Sequence, residues 1–172
     1  MKLLVIHPGA SWSTADVEAG LIYGLEAHGV EVIKYALDGR LSGANRWLHN
    51  AWRIKKRTNP DTPKPTFSDM LYQASMGALE RALRYQVDAV VAVSAMYLHP
   101  DVLVLMRRAG LLVTVLFTES PYDIEKELKV AQIAHGCWTN ERTCVEQFRS
   151  VCPNAGYLPH AWHPTRHLPG PQ

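Results

Sequence analysis

The stretch DAVVAVSAMYLHPDVLVLMRRAGLLVTVLFT, residues 88–118, holds two apolar runs on either side of an amphipathic segment. The runs DAVVAVSA (88–95) and LLVTVLFT (111–118) are continuous rather than alternating, the pattern of strands buried on both faces of a parallel sheet. Between them, His99-Pro100 opens a helix over residues 100–109 and Gly110 closes it. Strand, helix and strand at this spacing predict a βαβ unit with a right-handed crossover.

The same alternation extends in both directions. Toward the amino terminus, KLLVI (2–6) is a buried strand, followed by the loop HPGASWST. Residues 14–28 then carry a helical stripe of Val17, Leu21, Ile22, Leu25 and Ala27, with Ser13 or Thr14 as cap and Asp16 in the first turn. Gly29 suits the position past the helix end, and VEVIKYAL (30–37) is the next strand. Toward the carboxyl terminus come a helix over 122–134, the short strand GCWTN (136–140), a helix over 141–151 capped by Asn140, and the strand AGYLP (155–159). The fold class is α/β: a Rossmann-like open parallel sheet of about six strands with helices on both faces. Residues 1–159 form this domain, and 160–172, with three histidines and four prolines from Pro159 to Pro171, read as a linker or tail.

One segment breaks the rhythm. RWLHNAWRIKKR (46–57) predicts a helix from about residue 44 to 57, followed by a proline-rich loop and a long helix over 67–85. Arg46, Arg53, Lys55, Lys56 and Arg57 with Trp47 and Trp52 suit an anionic membrane or a phosphate backbone. The competing expectation is a helix docked on the sheet through Trp47, Leu48, Ala51 and Ile54. Charge favours docking: 18 basic and 16 acidic residues in 172 give a net charge of +2, too balanced to point to nucleic acid or membrane.

The apolar start MKLLVI is too short for a secretory signal, and no stretch has the length of a membrane span. Cys137, Cys144 and Cys152 are odd in number and match no zinc or redox spacing. They read as free thiols in a reducing compartment, so a cytoplasmic location is expected.

In such sheets the ligand crevice lies beyond the carboxyl ends of the strands. HPGASWST, SAMYLHP, TESPYD, TNERT and LPHAWHP fall on that edge. HPGASWST leads into a helix amino terminus, whose free amides suit an anion. It lacks GxGxxG and the P-loop lysine, which argues against dinucleotide or ATP binding there. His7, Gly9, Ser11, Trp12 and Ser13 are richer than a plain connection needs. In TESPYD, Glu119 and Asp123 suit proton transfer, with Tyr122 between them. Plain helix-start chemistry explains the same residues equally well. His160, His163 and His167 lack a zinc spacing and are broken by prolines, so no metal site is expected and substrate bonding by His160 is preferred. Ser94 stands at a strand end without the glycines of a nucleophile elbow.

Taken in order, Glu119-Ser120-Pro121-Tyr122, Thr139-Asn140-Glu141-Arg142, Val145-Glu146-Gln147-Phe148 and Tyr157-Leu158-Pro159 resemble the amino-terminal half of the CgeB-like, spore-maturation-type glycosyltransferases. The likeness spans most of the chain and is weakest over 41–65. It implies a two-domain GT-B enzyme that moves a sugar from a nucleotide-sugar donor to a hydroxyl acceptor without a bound metal or other cofactor. This chain is then the acceptor-side half, and LPHAWHP the passage toward a second, donor-binding domain. For such an enzyme Glu119, on the carboxyl edge of the sheet, is the candidate base, which an inverting transfer requires. His7, Gly9, Ser11, Trp12, Ser13, Tyr97, Tyr122, Asn140, Glu141 and His160 are its candidate substrate contacts. The alternative is a non-catalytic Rossmann-like module for a nucleotide, glycan or protein partner, with a homodimer as one way to cover an interdomain face.

Overall fold

The computed structural model describes residues 1–9 and 14–159. Its strands are β1 (Lys2–His7), β2 (Glu31–Ala36), β3 (Ala89–Val93), β4 (Leu112–Phe117), β5 (Gly136–Thr139) and β6 (Ala155–Tyr157). They form one six-stranded sheet in the order β2-β1-β3-β4-β5-β6, parallel at every pairing. This is the Rossmann-like α/β arrangement that the apolar runs predict. The inner strands β1, β3 and β4 are buried along most of their length, whereas the edge strand β2 is partly exposed.

The helices are α1 (Ala15–Ala27), α2 (Asp38–Thr58), α3 (Phe67–Arg84), α4 (Pro100–Arg108), α5 (Ile124–Ala131) and α6 (Val145–Arg149). On one sheet face, Leu4, Ile6, Val90, Val113 and Phe117 pack with Ala78 of α3, Met106 of α4, Ala131 of α5 and Phe148 of α6. On the other face, Val5, Val93 and Leu116 pack with Val17 and Ile22 of α1. The split follows from handedness. The β1-to-β2 crossover runs outward one way and the later crossovers run the other, so right-handed connections place α1 opposite the rest. Each fully buried Leu, Ile, Val or Phe contributes roughly 1.5–3 kcal/mol by leaving water.

Glycines end two of the helices as expected: Gly29 at φ +76° and Gly110 at φ +83°. α3 begins with a capping box, in which the Asp69 amide donates to Thr66 Oγ1 at 3.2 Å and the Thr66 amide donates to Asp69 Oδ2 at 2.7 Å. Two of the expected helices are shorter in the structure. α5 is shorter at both ends, and the segment after β5 is a 3₁₀ turn (Arg142–Cys144) followed by the short α6. Its cap is Glu141 rather than Asn140: Glu141 Oε1 accepts from the Thr143 amide at 3.0 Å.

The larger correction concerns α2. It starts at Asp38, directly after β2, with the Leu37 and Asp38 amides donating to the carbonyls of His7 and Pro8. It does not dock on the sheet. α3 already covers that face through Ala74, Ala78 and Ala82, so α2 lies outside it as a second layer. Trp47, Ala51 and Ile54 are exposed, Leu48 is half-buried, and Ala44 is the helix's one fully buried residue. The expected tail, 160–172, lies outside the described residues.

Candidate functional site

The carboxyl ends of β1, β3, β4 and β5 carry most of the sequence-predicted residues. At the end of β1, His7 is buried, and its Nδ1 lies 2.6 Å from Glu18 Oε2 of α1. Gly9 has φ +134°, and a side chain there would meet the Asp38 carboxylate, with a built Cβ only 2.2 Å from Oδ2. Gly9 is therefore packed tightly against the start of α2. Ser11, Trp12, Ser13 and His160 lie outside the described residues.

At the end of β3, Ser94 is buried with φ +53°, a region that a residue with a Cβ rarely adopts. Its amide donates to the Leu116 carbonyl at 2.9 Å, and its hydroxyl donates to Glu119 Oε1 at 2.5 Å. Thr118 Oγ1 donates to the same oxygen at 2.9 Å. Among the described residues, Glu119 Oε2 receives the Thr118 amide alone, at 3.3 Å, and so keeps acceptor capacity for a further donor. Three residues after Ser94, Tyr97 ends a 3₁₀ turn and packs partly buried against the main core.

Beyond β4 the chain turns through a cis Ser120-Pro121 bond, with the Tyr122 amide donating to the Glu119 carbonyl at 2.8 Å. Tyr122 is 94% exposed and is not among the residues that line the pocket beside Glu119. Ser120 is buried and donates its hydroxyl to Glu127 Oε2 at 2.6 Å. Glu127 is only 5% exposed, and its Oε1 is buried with no hydrogen-bond partner among the described residues. Its carboxyl pKa is pushed up to about 6, chiefly by burial; the Ser120 bond and the Glu119 amide oppose the rise, and the charges of Glu119 and Asp123 add to it.

Glu119 and Glu127 line one pocket of about 220 Å³, walled mainly by Leu71, Leu98, Phe117 and Val130. Asp123 stands at its rim, paired with Lys126 at 2.8 Å. The pocket is thus largely apolar, with the carboxylates of Glu119, Asp123 and Glu127 and the side chains of Lys126 and Lys129 also lining it, a form suited to a small organic molecule with a few polar groups.

Asn140 and Glu141 follow β5 and do not line this pocket. The Glu141 amide donates to Thr139 Oγ1 at 3.1 Å. Its side chain accepts from the amide and hydroxyl of Thr143, bonds that lower its pKa. The cysteines are free and buried, and burial, followed by the neighbouring Cys152, pushes the Cys137 thiol up to about 12. A thiol so far from ionisation is no nucleophile. Among the described residues, no group of three or more His, Cys, Asp or Glu side chains is placed to hold a metal ion.

Sequence reasoning brought out Glu119 and missed Glu127. A signal for Glu127 exists: it sits in the inward stripe of α5 with Ile124, Val130 and Ala131, a carboxylate where an apolar residue belongs. No protein-family model matches the chain, and no curated protein matches it.

Proposed function

We propose that this chain forms the acceptor-binding side of a GT-B-type glycosyltransferase, which moves a sugar from a nucleotide-sugar to a hydroxyl. The observation that carries the reading is Glu119: a carboxylate beyond the end of β4 that lines a largely apolar pocket, oriented by Ser94 and Thr118, with acceptor capacity left at Oε2 among the described residues. That edge is where ligands meet an open parallel sheet. In an inverting transfer the acceptor hydroxyl donates to Oε2. Its oxygen bonds the anomeric carbon, the sugar–phosphate bond breaks with the nucleoside diphosphate as leaving group, and Glu119 keeps the proton. Donor binding falls to the second domain of the enzymes that this chain resembles. Glu127 sits deeper and acts as a positioning residue, holding Ser120 in the turn.

The test is sugar transfer by the complete enzyme with Glu119→Gln. General-base loss predicts a fall of about 10²–10⁴-fold in turnover with the fold retained. Wild-type turnover in the variant removes Glu119 as base. The second reading, a non-catalytic binding module, is favoured by the pocket's mostly apolar wall, which holds a ligand without any transfer step. Calorimetric titration of this chain with UDP-, GDP- and ADP-sugars separates the two. Tight donor binding within these residues contradicts the acceptor-half assignment, and no binding by a folded sample agrees with it.

A further inference from the structure

We propose that the outer face of α2 is a docking surface for an anionic lipid bilayer. Its sequence, DGRLSGANRWLHNAWRIKKRT, holds six basic residues and one acidic, Asp38 at its start. The whole chain is only +2, so the rest of it is net acidic and the positive charge is concentrated on this helix. Four of the cations, Arg46, Arg53, Lys55 and Arg57, have no hydrogen bond or ion pair among the described residues. The other two are engaged: Arg40 donates to the Ala36 carbonyl, and Lys56 lies 4.9 Å from the centre of the Trp52 ring.

The apolar side of the same surface is equally uncommitted. Trp47 is 60% exposed and Ile54 is 67% exposed. They lie seven residues apart, two helical turns, so they share one face with Ala51 between them. Arg46, Arg53 and Arg57 run along one border of that face and Lys55 along the other. The inner side is occupied, with Ala44 buried and Trp52 donating Nε1 to the Thr62 carbonyl at 3.0 Å.

An exposed Trp and Ile stripe bordered by arginines is the pattern of a helix lying in a membrane interface. The indole and the isoleucine enter the headgroup boundary while the cations stay at phosphate level. A phosphate backbone of nucleic acid draws the same cations but gives Trp47 and Ile54 no apolar partner, which favours lipid. No helix among the described residues is long and apolar enough to cross a membrane, so the contact is with the surface.

The test is sedimentation of the full chain with two kinds of vesicle, phosphatidylcholine alone and phosphatidylcholine mixed with phosphatidylglycerol. Binding is expected to the mixed vesicles, to weaken with salt, and to be at least about tenfold lower on neutral vesicles. Arg53→Glu with Arg57→Glu, and separately Trp47→Ser with Ile54→Ser, are each expected to lower partitioning at least about tenfold. All four residues are exposed, so the fold is retained, and the salt dependence of the unaltered protein is read without any variant. Equal binding to both vesicles, no binding to either, or variants that partition like the original overturn the proposal. Binding to duplex DNA with none to mixed vesicles reassigns the surface to nucleic acid.

Discussion

Ser94 and Glu119 join the ends of two neighbouring strands: Ser94 Oγ donates to Glu119 Oε1 at 2.5 Å across 25 residues of sequence. Ser94 follows β3 and Glu119 lies two residues beyond β4, so the bond closes the carboxyl edge of the sheet at its centre. It also explains the backbone of Ser94. Positive φ is unfavourable for a residue with a Cβ, and such strain persists where the surroundings over-determine it. Here the amide is held by the Leu116 carbonyl and the hydroxyl by the carboxylate.

Two substitutions at this position separate strain from bonding. Ser94→Ala keeps the positive φ and loses a hydrogen bond to a charged group, for a loss of roughly 1.5–3 kcal/mol. Ser94→Gly loses the same bond but removes the steric cost of the Cβ, so it is expected to be about 1 kcal/mol more stable than the alanine variant. Urea unfolding of the two variants reads the difference. Equal stability means that φ at this position carries no cost.

Glu127 makes stability depend on pH in a direction opposite to most carboxylates. Its folded pKa of about 6 stands above the ordinary value of 4.5, so the folded chain holds the proton more tightly than the unfolded chain. Between those values the native state is protonated and the unfolded state is not; stability therefore falls as pH rises through the window. A shift of this size corresponds to roughly 2 kcal/mol. The charged groups around it are Glu119, Asp123 and Lys126, with the thiols of Cys137 and Cys144 neutral near pH 6. Glu127→Gln removes the titration. The stability gap between variant and original is expected to change by roughly 2 kcal/mol between about pH 4 and pH 7, favouring the variant at the higher pH. A constant gap in urea unfolding counts against the raised pKa.

Much of this architecture is legible in the sequence because the signals are local. Runs such as DAVVAVSA and LLVTVLFT announce buried parallel strands, and Gly29 and Gly110 mark helix ends. Glu119 was legible for a related reason, since its position after an apolar strand puts it on the crevice edge. The features that escaped depend on what packs over what. Whether Trp47 and Ile54 are covered is decided by α3, which takes the sheet face with three alanines and leaves α2 outside. Net charge misled in the same way, because averaging over the chain hides the cations gathered on α2. Glu127 falls in the inward stripe of α5, but its bond with Ser120 depends on a turn that only the fold supplies.

α6 has only five residues, too few to hold a helix by its own hydrogen bonds. What fixes it is Phe148, which is fully buried and stacks on Phe117 of β4 with ring centroids 4.8 Å apart and 11° between planes. Phe148→Ala is expected to destabilise the fold by about 3–5 kcal/mol, as for other buried aromatics. Hydrogen exchange supplies the local reading. The Cys152 amide, which donates to the Phe148 carbonyl at 2.8 Å, should lose protection together with the amides that pair β5 with β6. Loss spread evenly over the whole sheet instead means that α6 is no separate unit.

The close approach of Gly9 and Asp38 sets the chain just beyond β1 against the start of α2, and it predicts a compensating pair. Gly9→Ala suffers twice: φ +134° is strained for alanine, and the new Cβ would lie 2.2 Å from Asp38 Oδ2 and 2.7 Å from Asp38 Cβ. The backbone strain alone is roughly 1–3 kcal/mol, and the clash adds to it. Asp38→Gly clears the space at a few tenths of a kcal/mol of helix propensity, together with the loss of the bond that Asp38 Oδ1 accepts from the Gly39 amide. The double variant is therefore expected to be more stable than the sum of the two single losses, because only the strain term survives in it. Thermal and urea unfolding of the four proteins in this cycle measure the coupling. Strict additivity would falsify the contact, and with it the idea that the start of α2 packs against Gly9.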